Sequence, residues 1–174
     1  YYYMQTGNSN KVLFDRIANS IHVQKHDRIP YFHCHGVIPI NGYNARKGHL
    51  ASDKLVLTED NYLELANNSF SWQATSFIDN CMNRRVVFCG VSLTDANMRR
   101  WLSWIHANKM AEFKENGLDC KDATEHFWIC KKPNTIQEKI WLEESVAHLG
   151  VRLVWIDEWN QTGEVLKKML GLDS

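Results

Sequence analysis

Short apolar runs alternate with stretches of helical period along this chain, and that alternation limits its fold more than any other feature. Leu55–Leu57, Arg85–Cys89, Phe127–Cys130 and Val151–Ile156 read as strands. Arg85–Cys89 is continuous, the kind of run buried on both faces of a sheet, and Gly90 ends it. The apolar stretch from Tyr31 to Ile40, punctuated by Pro30 and Pro39, reads as a strand running into a loop. Between these runs the period changes. Residues 10–25 carry a loose helical pattern through Val12, Leu13, Ile17 and Ile21. Thr58 is a good helix N-cap, and Phe70, Ala74, Phe77, Ile78 and Cys81 predict a helix ending near Asn83. Asp95 is placed to cap a helix whose Met98, Trp101, Leu102 and Ile105 mark one face. Residues 135–149 predict another helix, closed by Gly150, and residues 161–170 a last one. Asn41–Asp53 is polar, holds Gly42 and Gly48, and reads as a mobile surface loop. Strands alternating with helices predict βα units around a parallel sheet. Right-handed crossovers would put helices on both faces, giving a three-layer α/β/α arrangement.

Composition narrows the function classes. The 174 residues match the usual length of one domain, so residues 1–174 are read as a single domain. Lys and Arg together number 20 and Asp and Glu 20, so no global field draws the chain to nucleic acid or an anionic membrane. No run of about 18 apolar residues is present to span a bilayer, and no signal peptide is visible. The opening Tyr1-Tyr2-Tyr3, without an initiating methionine, reads as the interior of a longer protein. The five cysteines, Cys34, Cys81, Cys89, Cys120 and Cys130, are odd in number and never spaced CxxC. That spacing argues against structural zinc and for small buried thiols in a reducing cytoplasm.

Ligands of an open parallel sheet bind beyond the carboxyl ends of its strands. Three segments sit there: His33-Cys34-His35-Gly36, Gly90-Val91-Ser92-Leu93-Thr94-Asp95, and Trp155-Ile156-Asp157-Glu158. The second carries the most chemistry. Gly90 permits close approach to the backbone, Ser92 and Thr94 supply hydroxyls, Asp95 and Asn97 supply acceptors suited to ribose, and the new helix offers free N–H groups. The competing reading is an ordinary strand-to-helix turn with a capping aspartate. His35 is read either as a proton-transfer group or as a hydrogen-bonded structural histidine. His33 points to the opposite face of a regular strand, and no carboxylate nearby completes a metal set. Trp101, Trp104, Trp128, Trp141 and Trp155 lie in periodic elements and read as core. Trp72 and Trp159 are candidates for a cleft or a partner surface. The pairs Arg84-Arg85 and Arg99-Arg100 read as solvated charges.

The runs YFHCHGVIP, LVLTEDNY and VVFCGVSLTDANMRRWL, in that order and at these intervals, resemble the zinc-free Sir2-like domains of bacterial antiphage defence proteins. The tail, FWICKKP through LGVRLVWIDEW to VLKKML, is similar to the end of the same domain. The resemblance implies a Rossmann-like, NAD-binding α/β fold of which this chain is the C-terminal portion. His35 then corresponds to the family's catalytic histidine, followed by Gly36. Gly90 and Ser92 correspond to the positions that contact the nicotinamide side or ribose of NAD, and Asp95 and Asn97 to the turn that shapes that pocket. Two departures matter. The four-cysteine zinc module of the related deacetylases is missing, which weakens the case for protein deacetylation. The glycine-rich G-A-G-x-S phosphate loop and the T-x-N-x-D segment with its catalytic asparagine do not occur here either, and Asn8-Ser9-Asn10 is no substitute. The phosphate-loop half is therefore expected upstream of this chain, or else the chain does not bind NAD tightly.

The resemblance implies cleavage of the nicotinamide–ribose bond of NAD⁺, with NAD as substrate. His35 would take a proton from water or activate a ribose hydroxyl, since imidazoles titrate near neutrality. Ser92 and Asp95 would hold the ribose. It also implies a homo-oligomer in the full-length protein and a phage-derived activator. Rival functions are protein deacetylation or ADP-ribosyl transfer, a non-catalytic module that senses NAD or another nucleotide, and a pure interaction domain that uses Trp72 and Trp159.

Overall fold

The computed structural model describes residues 14–17, 29–35, 56, 58, 60–61, 63, 68 and 71–172. The expected loop 41–53, Gly36, Leu55, Leu57, Phe70 and most of the helical pattern over residues 10–25 lie outside the described residues. Two units divide the chain, Tyr1–Thr75 and Ser76–Ser174.

In the first unit, β1 (Phe14–Ile17) and β2 (Ile29–Phe32) pair in parallel, Phe14 opposite Ile29 and Ile17 opposite Phe32. The expectation of a helix through Ile17 is thus corrected. An apolar stretch this short fits either period, and the backbone ladder to β2, with Ile17 buried, favours the strand. Strand β2 begins two residues before Tyr31 and takes in Pro30, which lacks a donor and is tolerated where no partner needs one. Thr58 acts as the expected cap, its Oγ1 accepting from Asn61 N at 3.3 Å.

The second unit follows the predicted alternation closely. Helix α1 (Trp72–Asn83) leads to β3 (Val87–Phe88) and then to α2 (Ala96–Glu115), which spans 20 residues. After a 3₁₀ turn at Cys120–Ala123 come β4 (His126–Lys131), α3 (Ile136–Ala147), β5 (Val151–Ile156) and α4 (Thr162–Met169). The strands form a parallel sheet in the order β3-β4-β5. The fold is α/β with a parallel sheet, as the alternation demands. Strand β3 is the exception in detail. It is two residues long and, among the described residues, is paired on one side only, whereas Arg85–Cys89 was expected to be buried throughout; Arg85 and Cys89 are exposed. Gly90, at φ 69°, turns the chain away immediately after it.

Strand β4 is central. On one face, Phe88, Trp128 and Leu153 lie in register across the three strands, and Cys130 lies opposite Trp155. These residues share a core with Cys81 of α1, Leu102 and Ile105 of α2, and Val146 of α3. On the other face Ile129 and Ile156 are buried too, so β4 is covered on both sides as parallel strands require. Trp101 and Trp128 are core as expected, but Trp104 and Trp141 are 56% and 68% exposed. Helical spacing alone did not separate them from the buried face. Trp104 instead lies under the Arg100 guanidinium, 5.4 Å from its ring centre.

A buried histidine, His126, and a half-buried one, His106, tie the second unit together. His126 Nδ1 accepts from Val86 N at 3.3 Å, and its ring also meets Phe88 edge-on. An acceptor nitrogen must be unprotonated, and burial, with help from the nearby Lys109 and His106, holds this imidazole below its usual value against the opposing pull of Glu125 and the Cys81 backbone. His106 is lowered as well, chiefly by burial and then by His148 and Lys109, with a backbone bond at Ala123 opposing. Lys109 and Glu125 form an ion pair beside them. Gly150, at φ 68°, closes the turn after α3 and passes so near His106 that an added Cβ would stand 2.7 Å from Nδ1.

Two outcomes follow for stability. Both imidazoles bind a proton more readily in the unfolded chain, whose value is near 6.5, so the stability they support is complete above that pH and is lost as the pH falls through their lower folded values. Thermal unfolding followed from about pH 7.5 to about pH 5 should show a falling midpoint, and His126→Gln should flatten that slope. Gly150→Ala should cost at least about 1 kcal/mol in urea unfolding, because alanine resists the left-handed region and meets His106 there.

Candidate functional site

The segment between β3 and α2 is built from short-range sequence signals and held by long-range bonds. Gly90 and Leu93 both adopt left-handed backbone, at φ 69° and 51°. Glycine does this freely, whereas leucine pays about 1–2 kcal/mol. The Leu93 side chain is 2% exposed, and burying a leucine contributes about 1.5–3 kcal/mol, enough to hold the unfavourable angle. Leu93 thus anchors an otherwise largely exposed loop in the core.

Three side chains fix the backbone around that anchor. Trp128 of β4 donates its indole Nε1–H to Val91 O at 2.9 Å. Arg99 of α2 donates Nη1–H to Leu93 O at 3.1 Å and Nη2–H to Ser145 O, in the last turn of α3, at 2.8 Å. Asp95 caps α2, its Oδ1 accepting from Asn97 N and Met98 N, both at 2.9 Å. Arg99 is half-buried and bridging, not the solvated charge its sequence neighbourhood suggested. The signals were present: an apolar leucine inside a polar turn, and an arginine four positions after the cap, on the same helix face.

The predicted residues Gly90, Ser92, Asp95 and Asn97 all lie on this loop and the first turn of α2. Gly90 and Ser92 are exposed; Asp95 and Asn97 are half-buried. Ser92 Oγ and Thr94 Oγ1 are 2.7 Å apart, so the two hydroxyls form one exposed polar pair. Asp95 performs the capping role that was the competing reading, which commits its Oδ1 to the helix. Cys89, one residue before the loop, is exposed, whereas it was expected among the buried thiols. Cys81 and Cys130 are buried as expected, and burial pushes both thiols up to about 12.

In the first unit, His35 follows β2 in a turn and is exposed. The backbone fixes its position: its carbonyl accepts from Val56 N at 3.1 Å, and His33 N donates to Ile17 O at 2.8 Å. Cys34 beside it is half-buried, and burial raises its thiol. The His33 ring lies edge-on to Tyr31, 4.8 Å between centres. Gly36 lies outside the described residues.

The third strand end is occupied by its own contacts. Lys131 Nζ bonds both carboxylate oxygens of Glu158 at 2.9 Å, and Gln161 Oε1 accepts from Asp157 N and Glu158 N. Among the described residues no group of three or more His, Cys, Asp and Glu side chains could hold a metal ion, and no helix is long and apolar enough to cross a membrane.

A comparison with curated proteins found no match. The family model of the SIR2-like domain matches residues 3–149, which takes in β1, β2, the Gly90–Asp95 loop and the sheet through α3. Strand β5 follows the matched stretch and pairs along the whole of β4, from His126 opposite Val151 to Lys131 opposite Ile156. With most of its length matched, and with a parallel α/β sheet of the expected kind, the chain belongs to the SIR2-like domain family.

Proposed function

We propose that the protein carrying this chain hydrolyses NAD⁺ at the nicotinamide–ribose bond, as a Sir2-like antiphage defence enzyme. The role of a SIR2-like domain is NAD-related, and the match over residues 3–149 is the observation that carries the reading. The loop supports it. Gly90 leaves its surroundings open, with nothing within 4 Å of an added Cβ, and Ser92 and Thr94 offer an exposed hydroxyl pair beside it.

In this reading water adds to the anomeric carbon of the ribose. The C–N bond breaks with its electron pair going to the cationic nicotinamide, which leaves neutral. The ribose passes through oxocarbenium character, and His35 takes the proton from the attacking water. Ser92 binds a ribose hydroxyl. Asp95 shapes the turn through its cap, and Asn97 and, after His35, Gly36 are the further positions assigned to NAD by the resemblance. The phosphate cradle comes from outside these residues, because G-A-G-x-S and T-x-N-x-D do not occur in the 174-residue sequence. A second reading is a module that senses NAD without turning it over, which a full-length protein with His35 but no upstream asparagine would favour. In the defence reading the full-length protein is a homo-oligomer with a phage-derived activator.

Nicotinamide release by the purified full-length protein, with its activator where one is required, separates the two. His35→Ala should lower turnover by about 10²- to 10⁴-fold, the usual contribution of a general base, with the fold intact by circular dichroism. Wild-type turnover in that variant would make the histidine structural. Ser92→Ala should act mainly on affinity, weakening it by about 0.5–1.5 kcal/mol for one lost hydrogen bond. The isolated 174-residue chain should release little nicotinamide, and vigorous release from it would contradict the need for an outside phosphate loop.

A further inference from the structure

We propose that Arg99 and Trp128 are positioning residues for the Gly90–Asp95 loop, each fixing one peptide plane so that a backbone N–H is presented outward to an oxygen-rich ligand such as a ribose. The inference rests on the reading that this loop holds NAD. Its basis is the geometry of the trans peptide, in which C=O and N–H point in opposite directions; among the described residues no peptide bond is cis. The Val91 carbonyl points at the Trp128 indole, a buried side chain of the central strand. The N–H in the same plane belongs to Ser92 and must point away from that indole. The Leu93 carbonyl points at the Arg99 guanidinium, so the N–H of Thr94 points away from it.

Neither Ser92 N nor Thr94 N has a hydrogen-bond partner among the described residues. Ser92 and Thr94 are both exposed, and their side-chain oxygens bond to each other rather than turning back to these amides. Two backbone donors, two residues apart, and a hydroxyl pair therefore lie on one short stretch. A ligand with several acceptor oxygens matches that set. Preset donors also save the ligand the cost of ordering the loop.

Each holding side chain is itself held. Arg99 reaches Leu93 O and Ser145 O at once, which a planar guanidinium with several donors can do and a lysine ammonium on a flexible stem does poorly. Ser145 O is one of the last carbonyls of α3 and lacks an intrahelical partner, so the cation also satisfies a helix end. Trp128 is packed in the core, which leaves its N–H a single direction.

The test compares Trp128→Phe, Arg99→Met and Arg99→Lys with wild type in the full-length protein, reading NAD⁺ affinity by calorimetry, KM and kcat by nicotinamide release, and amide exchange at residues 91–94. Leu149→Ala serves as a control, since it removes a fully buried side chain that shares a core with Leu93 but makes no side-chain hydrogen bond, so it loosens packing without touching the bonds to the loop. Trp128→Phe should weaken binding several-fold and Arg99→Met about 10- to 100-fold, as expected for neutral and charged hydrogen bonds. Arg99→Lys should fall between wild type and Arg99→Met. In all three, kcat should hold within about two-fold and loop amides should exchange faster. Leu149→Ala should lower the melting temperature and leave KM unchanged. If wild type binds NAD⁺ and the variants bind it equally well, the positioning role is overturned while the NAD reading stands. The positioning role is likewise overturned if Leu149→Ala raises KM as much as they do. If wild type neither binds nor cleaves NAD⁺ with its activator present, the NAD reading fails and the positioning role falls with it, however the loop amides exchange.

Discussion

Strand β4 is hydrogen-bonded on both sides, and almost every other feature of the second unit depends on that pairing. Once β4 is fixed between β3 and β5, its alternate side chains are committed. Trp128 and Cys130 enter the core shared with α1, α2 and α3, and Ile129 is buried on the opposite face. His126, at the start of the strand, reaches back to the backbone of Val86 just before β3. Trp128 reaches forward to the backbone just after it, at Val91. One strand thus places both ends of its short neighbour, which explains how a strand of two residues can hold its place.

The loop after β3 inherits this order. Its left-handed leucine would be costly in isolation, and it persists because the side chain is buried and the carbonyl is held by Arg99. Local sequence supplies the turn and the cap; tertiary contacts supply the orientation of the peptide planes. Arg99 also bonds α3 at Ser145, so the shape of the loop and the packing of α2 against α3 are linked through a single side chain.

Much of this was legible in the sequence, and the parts that were not have physical reasons. The strands Phe127–Cys130 and Val151–Ile156 and the helix over 135–149 were visible because long apolar runs and caps are local signals, and the structure places β4, β5 and α3 there. Asp95 was legible as a cap for the same reason. The strand at Phe14–Ile17 was not, because a four-residue segment is decided by its partner β2 and not by its own period. The shortness of β3 was hidden too, since an apolar run does not reveal how much of it a neighbour will pair. Trp104 and Trp141 share helical spacing with buried residues yet face outward. The candidate loop was found from its glycine, hydroxyls and aspartate, whereas the contacts that orient it come from Arg99 and Trp128, and Trp128 is 37 residues from the carbonyl it holds.

The five thiols do not share one environment, and this has a practical chemical consequence. Cys81 and Cys130 are sealed in the core, with thiols pushed up to about 12, and Cys34 and Cys120 are half-covered. Cys89 alone among the five is open to solvent, and it sits directly before Gly90. An alkylating reagent at neutral pH selects for exposure and thiolate character. A fluorophore or spin label offered to the unaltered sequence would therefore attach first beside the loop, where its signal would report on anything that settles there.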